Sequence, residues 1–161
     1  MNVQFVPGYD RPEVVRELFL EYTQMLVAGD PAFATYLLDI QHFDDEIRDL
    51  SLKYGQPEGR LYLVYVDGKT AGCVALKKFD ETSCEIKRLY VRSRFRGHRL
   101  GERMVERLMA DARSIGYTHM LLDTLPFLRT AIQMYLRMGF YEIPSYNGIP
   151  MENLLYMKYD L

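Results

Sequence analysis

The spacing of apolar positions changes period several times along the chain, and each change marks an element. Val3 to Val6 read as a short first strand. Pro12 then opens a helical pattern in which Val15, Leu18, Phe19, Tyr22 and Leu26 recur three and four apart, and "AGDP" ends it. Residues 31 to 54 read as a broken helical region, with Asp44 as the expected cap ahead of Ile47 and Leu50. At Gly59 the pattern switches. "RLYLVYVDGKTAGCVALKKF" is strand, turn, strand, because Asp67 and Gly68 both tolerate the positive φ of a tight hairpin. "DETS" makes the next turn. "CEIKRLYV" is a third strand, in which strict alternation puts Glu85, Lys87 and Leu89 on one face and Ile86, Arg88 and Tyr90 on the other.

Further on, Leu100, Met104, Leu108, Ala112 and Ile115 share one helical face, with Gly116 as the C-terminal cap. "THMLLDTL" is an apolar strand. Pro126 is expected to open another helix, with Ile132, Tyr135 and Leu136 inside and Gly139 closing it. "FYEI" and "LLYMKYDL" are two last strands joined by "PSYNGIPMEN". This order predicts one mixed α/β domain over residues 1–161. Its sheet is mostly antiparallel, with six to seven strands flanked by about four helices.

Composition narrows the function classes. The chain has 161 residues, 48% hydrophobic and 26% charged, an ordinary balance for one domain. A net charge of −2 excludes a protein built as a whole to coat nucleic acid or an anionic membrane. "MNVQFVPGYD" has no basic, signal-like start, and no run approaches the ~18 apolar residues of a membrane span. A soluble, cytoplasmic protein is expected. Simple hairpin counting sets Cys73 opposite Arg88 and Cys84 opposite Lys77, which makes them two buried thiols and not a disulfide. His42, His98 and His119 form no metal-ligand spacing with them, so no metal is expected.

One stretch departs from the acidic average. "RLYVRSRFRGHRLGERM" carries a strand into an arginine-rich turn with two glycines and then a helix. From Lys87 to Arg107 there are eight Lys/Arg and two Asp/Glu. A helix start offers unpaired backbone N–H groups and the positive end of the dipole. Glycine admits a ligand close to the backbone, and arginine adds charge for phosphates. The pattern is neither a Walker P-loop, since no Gly-Lys-Ser/Thr follows, nor the dinucleotide fingerprint, whose glycine spacing differs. The alternative is a solvated basic helix start. Aromatics are not interleaved with the cations as a nucleic-acid stacking surface requires, so no nucleic-acid partner is expected.

"YVRSRFRGHRLGERM" resembles the acetyl-CoA-binding motif of the GNAT N-acetyltransferases, Arg/Gln-x-x-Gly-x-Gly/Ala, at Arg96, Gly97, His98, Arg99, Leu100 and Gly101. "CEIKRLYV" looks like that family's fourth strand, and "LLDTLPFLRTAIQMYLRMGFYEI" like its fifth strand, fourth helix and sixth strand, with Tyr-x-x-x-Gly-Phe at Tyr135 to Phe140. Two positions depart from the pattern: Arg99 replaces the first glycine, and Leu128 stands where many members carry an asparagine that contacts the cofactor.

The resemblance implies a single GNAT-like domain that takes acetyl-CoA as co-substrate and acetylates an amine, with a small-molecule acceptor preferred. A catalytically silent CoA-binding module on the same fold is the alternative, and a homodimer is compatible with the family. The resemblance puts the pantetheine arm along the backbone of Leu89, Tyr90 and Val91, with the Leu89 N–H as oxyanion donor. The pyrophosphate falls to Arg96 through Gly101, and Arg92, Arg94 and Arg103 are solvated or near the 3′-phosphate. Glu85 aligns with a general base acting through water; the other reading is a strand glutamate paired with Lys87 or a neighbouring cation. Tyr135 aligns with the general acid; the other reading is a core tyrosine. For the acceptor, the resemblance points to the first two helices with their connection and to the loop between the last two strands, where Phe33, Tyr36 and Tyr146 are candidates and Asp30, Asp39 and Glu152 could attract a cation; the other reading is ordinary core and loop residues.

Overall fold

The structure, a computed structural model, describes residues 1–33, 40–148 and 153–161, without the side chains of 33 and 40–43. In chain order the elements are β1 (Val3–Pro7), α1 (Pro12–Gly29), a 3-10 turn (Pro31–Phe33), α2 (Ile40–Arg48), α3 (Leu50–Tyr54), β2 (Arg60–Val66), β3 (Lys69–Lys78) and β4 (Ser83–Val91). A second 3-10 turn (Ser93–Phe95), α4 (Leu100–Ile115), β5 (His119–Thr124), α5 (Arg129–Met138), β6 (Tyr141–Ile143) and β7 (Leu155–Asp160) complete it. The strands form one seven-stranded sheet in the order β1-β2-β3-β4-β5-β7-β6. Every neighbouring pair is antiparallel except β4 with β5.

Alternation along the strands sends side chains into two cores. On one face Val74, Leu76, Cys84, Ile86, Met120 and Leu122 pack under α4 and α5. On the other, Leu61, Leu63, Cys73 and Ala75 pack under Val15, Leu18 and Phe19 of α1 and Tyr54 of α3. The Asp67-Gly68 hairpin is as expected, with φ of 49° and 79°. Gly116 and Gly139 close α4 and α5 in the left-handed conformation.

Three local expectations are corrected. Asp44 lies inside α2, and the cap is Asp49, whose carboxylate accepts from the Leu52 N–H at 3.2 Å. Pro126 precedes a short turn, so α5 begins only at Arg129; its face then rotates, burying Met134 and Tyr135 and leaving Leu136 53% exposed. The hairpin between β3 and β4 pairs Cys73 with Tyr90 and Cys84 with Lys78, not with Arg88 and Lys77. Both thiols are free and buried, on opposite faces of the sheet.

That last difference exposes the main irregularity of the sheet. Between Cys73 and Ala75 the pairing slips, so Val74 alone stands against Arg88 and Leu89. This is a β-bulge, and Arg88 takes φ 58° within it. A non-glycine residue in that region costs about 1–2 kcal/mol, which surrounding contacts must offset. The extra residue breaks the alternation. Ile86 and Leu89 therefore turn to the α4 side, while Tyr90 joins the α1 side, against the strict pattern expected of this strand. Gly72 lies just beyond, where any Cβ would collide with the Tyr90 carbonyl oxygen. The bulge also turns β4 away from β5, whose ladder with it covers only Ser83, Cys84 and Glu85.

The cap assignment is testable. Asp49→Ala should lower the unfolding free energy by about 1 kcal/mol, read as a lower urea midpoint. Asp44→Ala removes an exposed pair with Arg16 (3.2 Å) and should cost less than half as much.

Candidate active site

Past Glu85 the β5-facing edge of β4 has no strand partner among the described residues, so Ile86 to Val91 border a gap between the two central strands. The gap leads directly to the start of α4. There the backbone N–H groups of Gly97, His98, Arg99, Leu100, Gly101 and Glu102 have no backbone acceptor among the described residues; intrahelical bonding resumes with Arg103 to Arg99. Six consecutive donors at a helix N-terminus form an anion cradle. Gly97 reaches it through φ 87°, and at Gly101 a Cβ would meet only Met134 at ordinary contact distance. The protein does not require glycine at 101 for its own packing, whereas a ligand against the backbone would.

Arg99 is the N-cap of α4 at φ 57°, ψ 25°. It adopts the conformation that a glycine takes freely, so the departure at this position costs strain without reshaping the loop. Leu128 is the N-cap of α5, makes no side-chain capping bond, and packs beside Leu26 and Leu125. A cofactor-contacting amide is absent there, as the residue type requires.

The cations of this segment divide into two groups. Lys87 sits 3.2 Å from Glu85 and 3.7 Å from Asp123. Arg88 is bidentate to Glu46 (3.3 and 2.6 Å), and Arg107 lies 3.7 Å from Asp111. Arg92, expected to be solvated or near a phosphate, is instead tied to Glu21 (3.1 and 2.7 Å) and Glu17 (2.8 Å) of α1. Arg94, Arg96, Arg99 and Arg103 form no ion pair with a described residue. Arg96 spends its Nε on the Val91 carbonyl (3.0 Å), and Arg94 lies over the Phe95 ring.

Glu85 is buried, 4% exposed. It accepts from the Tyr146 hydroxyl at 2.8 Å as well as pairing with Lys87. Both readings of this residue therefore hold parts of the geometry: it has its cation, and it lies at the mouth of the gap. Asp123 on β5 accepts from Asn147 Nδ2 at 3.0 Å, and Asn147 in turn accepts from the Tyr156 hydroxyl at 3.0 Å. A polar chain thus runs from Tyr156 through Asn147, Asp123, Lys87 and Glu85 to Tyr146. Burial and the neighbouring Glu85 carboxylate push the Tyr146 phenol far above its ordinary pKa, so it remains a donor.

Tyr135 is buried on α5, edge-on to Phe140 at 5.4 Å. Burial raises its pKa, with Tyr22 and Asp123 adding to the rise. Its hydroxyl makes no hydrogen bond to a described residue. Tyr22, from α1 on the other face of the sheet, is pushed up to about 12 by burial and stands near Tyr90, 6.0 Å between rings. Tyr135 and Tyr22 belong to helices on opposite faces of the sheet and are coupled electrostatically. Of the acceptor candidates, Tyr146 is in this network, and Asp30 caps the following turn by accepting from Ala32 N–H at 3.2 Å. Tyr36, Asp39, Glu152 and the side chain of Phe33 lie outside the described residues. Asp123, Asn147 and Glu46 were not singled out from sequence, and Arg88 was given only a strand face; Asn147 lay within the connection "PSYNGIPMEN".

Glu46 is only 7% exposed and also receives the Tyr54 hydroxyl and Lys53 (3.7 Å). Burial alone would raise its pKa, but Arg88, Lys53 and the two hydrogen bonds hold it below the ordinary carboxylate value. A depressed folded pKa adds stability above the unfolded value, ~4.3, and that stability is lost as pH falls through the folded pKa. Glu46→Ala should therefore destabilise by about 3 kcal/mol at pH 7 in urea titrations, with the difference shrinking in acid below about pH 4. Arg99→Gly relieves strain and should raise the melting temperature of the ligand-free protein by about 2 °C in calorimetry.

The Acetyltransferase (GNAT) family profile matches residues 15–140. An uncharacterised N-acetyltransferase of Schizosaccharomyces pombe is 37% identical, the match covering 77% of each chain. Another, from Dictyostelium discoideum, is 31% identical over 95% of each. A GNAT family acetyltransferase from Elizabethkingia anophelis, solved with acetyl-CoA bound, superposes with a TM-score of 0.70 at 17% identity, over 99% of both chains. With its fold, its sequence match and these relatives in agreement, the chain belongs to the GNAT family of acetyltransferases.

Proposed function

We propose that the protein transfers an acetyl group from acetyl-CoA to the primary amine of a small molecule, by direct attack in a ternary complex. The observation that carries this reading is the run of six unbonded N–H groups from Gly97 to Glu102, placed at the end of the open β4 edge. Phosphates suit the first, and a pseudo-peptide pantetheine suits the second, pairing along Leu89 to Val91 as an added strand. His98 and Arg99 surround the phosphates largely through backbone N–H groups; Arg96, whose N–H is held by the Ser93 carbonyl, contributes its charge, and the four cations without ion pairs make the surroundings positive. The acetyl-CoA complex of the Elizabethkingia relative supports this choice of co-substrate.

The amine arrives protonated, with a reference pKa of ~10.4, and must lose a proton before attack. Glu85 receives it through a water, with Lys87 and Tyr146 fixing the carboxylate. The free nitrogen attacks the thioester carbon, and the Leu89 N–H stabilises the negative oxygen that forms. The C–S bond then breaks, the nitrogen releases its second proton, and the sulfur leaves as a thiolate of pKa ~8.5 by analogy with cysteine. The Tyr135 hydroxyl donates a hydrogen bond to that sulfur. Because its pKa is raised, the phenol stays protonated at neutral pH and acts as a hydrogen-bond donor, with the final proton coming from those released. The products are an N-acetyl amine, CoA thiol and one proton. The half-buried Tyr146, Asp123 and Tyr22 on the acceptor side favour a small amine.

Calorimetric titration with acetyl-CoA at moderate salt should show micromolar binding with one site per chain, and an amine screen should then release CoA thiol. Absence of binding overturns the reading; binding without transfer to any amine favours a silent CoA-binding module. With an accepted amine, Tyr135→Phe should lower kcat about 10- to 100-fold with little change in KM for acetyl-CoA. Full activity in that variant removes Tyr135 from the mechanism.

A further inference from the structure

We infer that Arg88 is a positioning residue for acetyl transfer: its pair with Glu46 holds the β4 bulge in the shape that presents the Leu89 N–H to the thioester oxygen. This rests on the reading of Leu89 as oxyanion donor given above. The bulge itself is a backbone fact, with Val74 alone against Arg88 and Leu89. A chain that needed only a bend would use glycine here, since φ is 58°. Instead the position carries a large cation whose side chain is 18% exposed. Its guanidinium takes both oxygens of Glu46, at 3.3 and 2.6 Å, and lies 4.7 Å from the centre of the Phe19 ring. The Arg88 carbonyl is held as well, by the Cys73 thiol at 3.3 Å.

Both ends of the residue are thus fixed to neighbouring elements, the guanidinium to Glu46 on α2 and Phe19 on α1, the carbonyl to Cys73 on β3. Leu89 follows immediately, so any rotation of the Arg88 backbone turns the Leu89 amide directly. Oxyanion stabilisation is a directional, short-range effect, and a donor displaced by a fraction of an ångström loses much of it. The side chain touches no reacting atom in this account. It acts by fixing the backbone of its neighbour.

The test uses the full chain, an amine found by the screen, and acetonyl-CoA, an unreactive ketone analogue of the thioester. Arg88→Gly keeps the left-handed backbone accessible but removes the anchor. Glu46→Gln keeps a side chain of the same shape with weaker hold, and carries the test alone if the first variant does not fold. Arg88→Gly should lower kcat about 30-fold with KM for acetyl-CoA changed less than about threefold. Glu46→Gln should act in the same direction but less, and the double variant should be no slower than Arg88→Gly. The 15N-labelled Leu89 amide should shift on adding acetonyl-CoA to the parent protein, and shift less in either variant. A folded variant that loses thermal stability but keeps kcat and the Leu89 shift has lost only a structural pair, and overturns the proposal. A parent protein that transfers acetyl groups while its Leu89 amide ignores acetonyl-CoA overturns the oxyanion reading, and this one with it. A parent with no transfer at all is a distinct failure, of the proposed function itself.

Discussion

Two residues of β4 have to be accommodated against one of β3, and the middle of the molecule is arranged around that mismatch. The slip at Val74 puts Arg88 in the left-handed region and turns the rest of β4 to the opposite phase. Because of it, β4 parts from β5 after Glu85 and leaves a backbone edge open in the centre of the sheet, where an unpaired strand edge is otherwise disfavoured. The same turn brings Tyr90 to the α1 side, where its hydroxyl reaches Glu21 at 3.2 Å. A strained backbone of this kind persists only when its surroundings over-determine it. Here the surroundings are the Glu46 carboxylate, the Phe19 ring and the thiol of Cys73.

Much of the architecture was legible because periodicity is a local property. Helix α1 buries Val15, Leu18, Phe19 and Leu26 at the expected spacing, and α4 does the same with Leu100, Met104, Leu108 and Ala112. The register of β3 against β4 was not legible, and the two cysteines show why. At Cys84 the pairing differs from simple counting by one residue, owing to the turn; by Cys73 it differs by two, the bulge adding the second. A bulge leaves no mark in composition, since a long polar side chain in a strand reads the same in either phase. Leu136 failed for a related reason: a helix that starts three residues later presents a different stripe.

The site divides in the same way. The run of unbonded N–H groups at the start of α4 was readable because its members are contiguous along the chain, from Gly97 onward. The placing of Tyr135 on the inner face of α5 was readable from its spacing to the Gly139 cap. The Tyr156–Asn147–Asp123 chain and the Arg88–Glu46 pair join residues far apart in sequence, and each member taken alone has an ordinary surface or strand explanation. Glu85 remains consistent with either of its readings because the features that would make it a positioned base, a fixed cation and a fixed hydroxyl, are also those of a satisfied buried carboxylate.

Charge in the segment from Lys87 to Arg107 is best understood as a partition. Lys87, Arg88, Arg92 and Arg107 are matched by carboxylates, and two of these pairs bind α2 to β4 and α1 to the residue just after it. Their electrostatic reach beyond the molecule is small, because each is cancelled at contact distance. Arg94, Arg96, Arg99 and Arg103 form no ion pair with a described residue, and all four flank the start of α4. A chain of net charge −2 thereby keeps one positive region, next to a helix N-terminus whose dipole has the same sign. The matched cations secure the open edge of β4, and the unmatched ones make the adjoining cradle attractive to an anion. Neither set alone would favour a ligand that is polyanionic at one end and peptide-like along its arm.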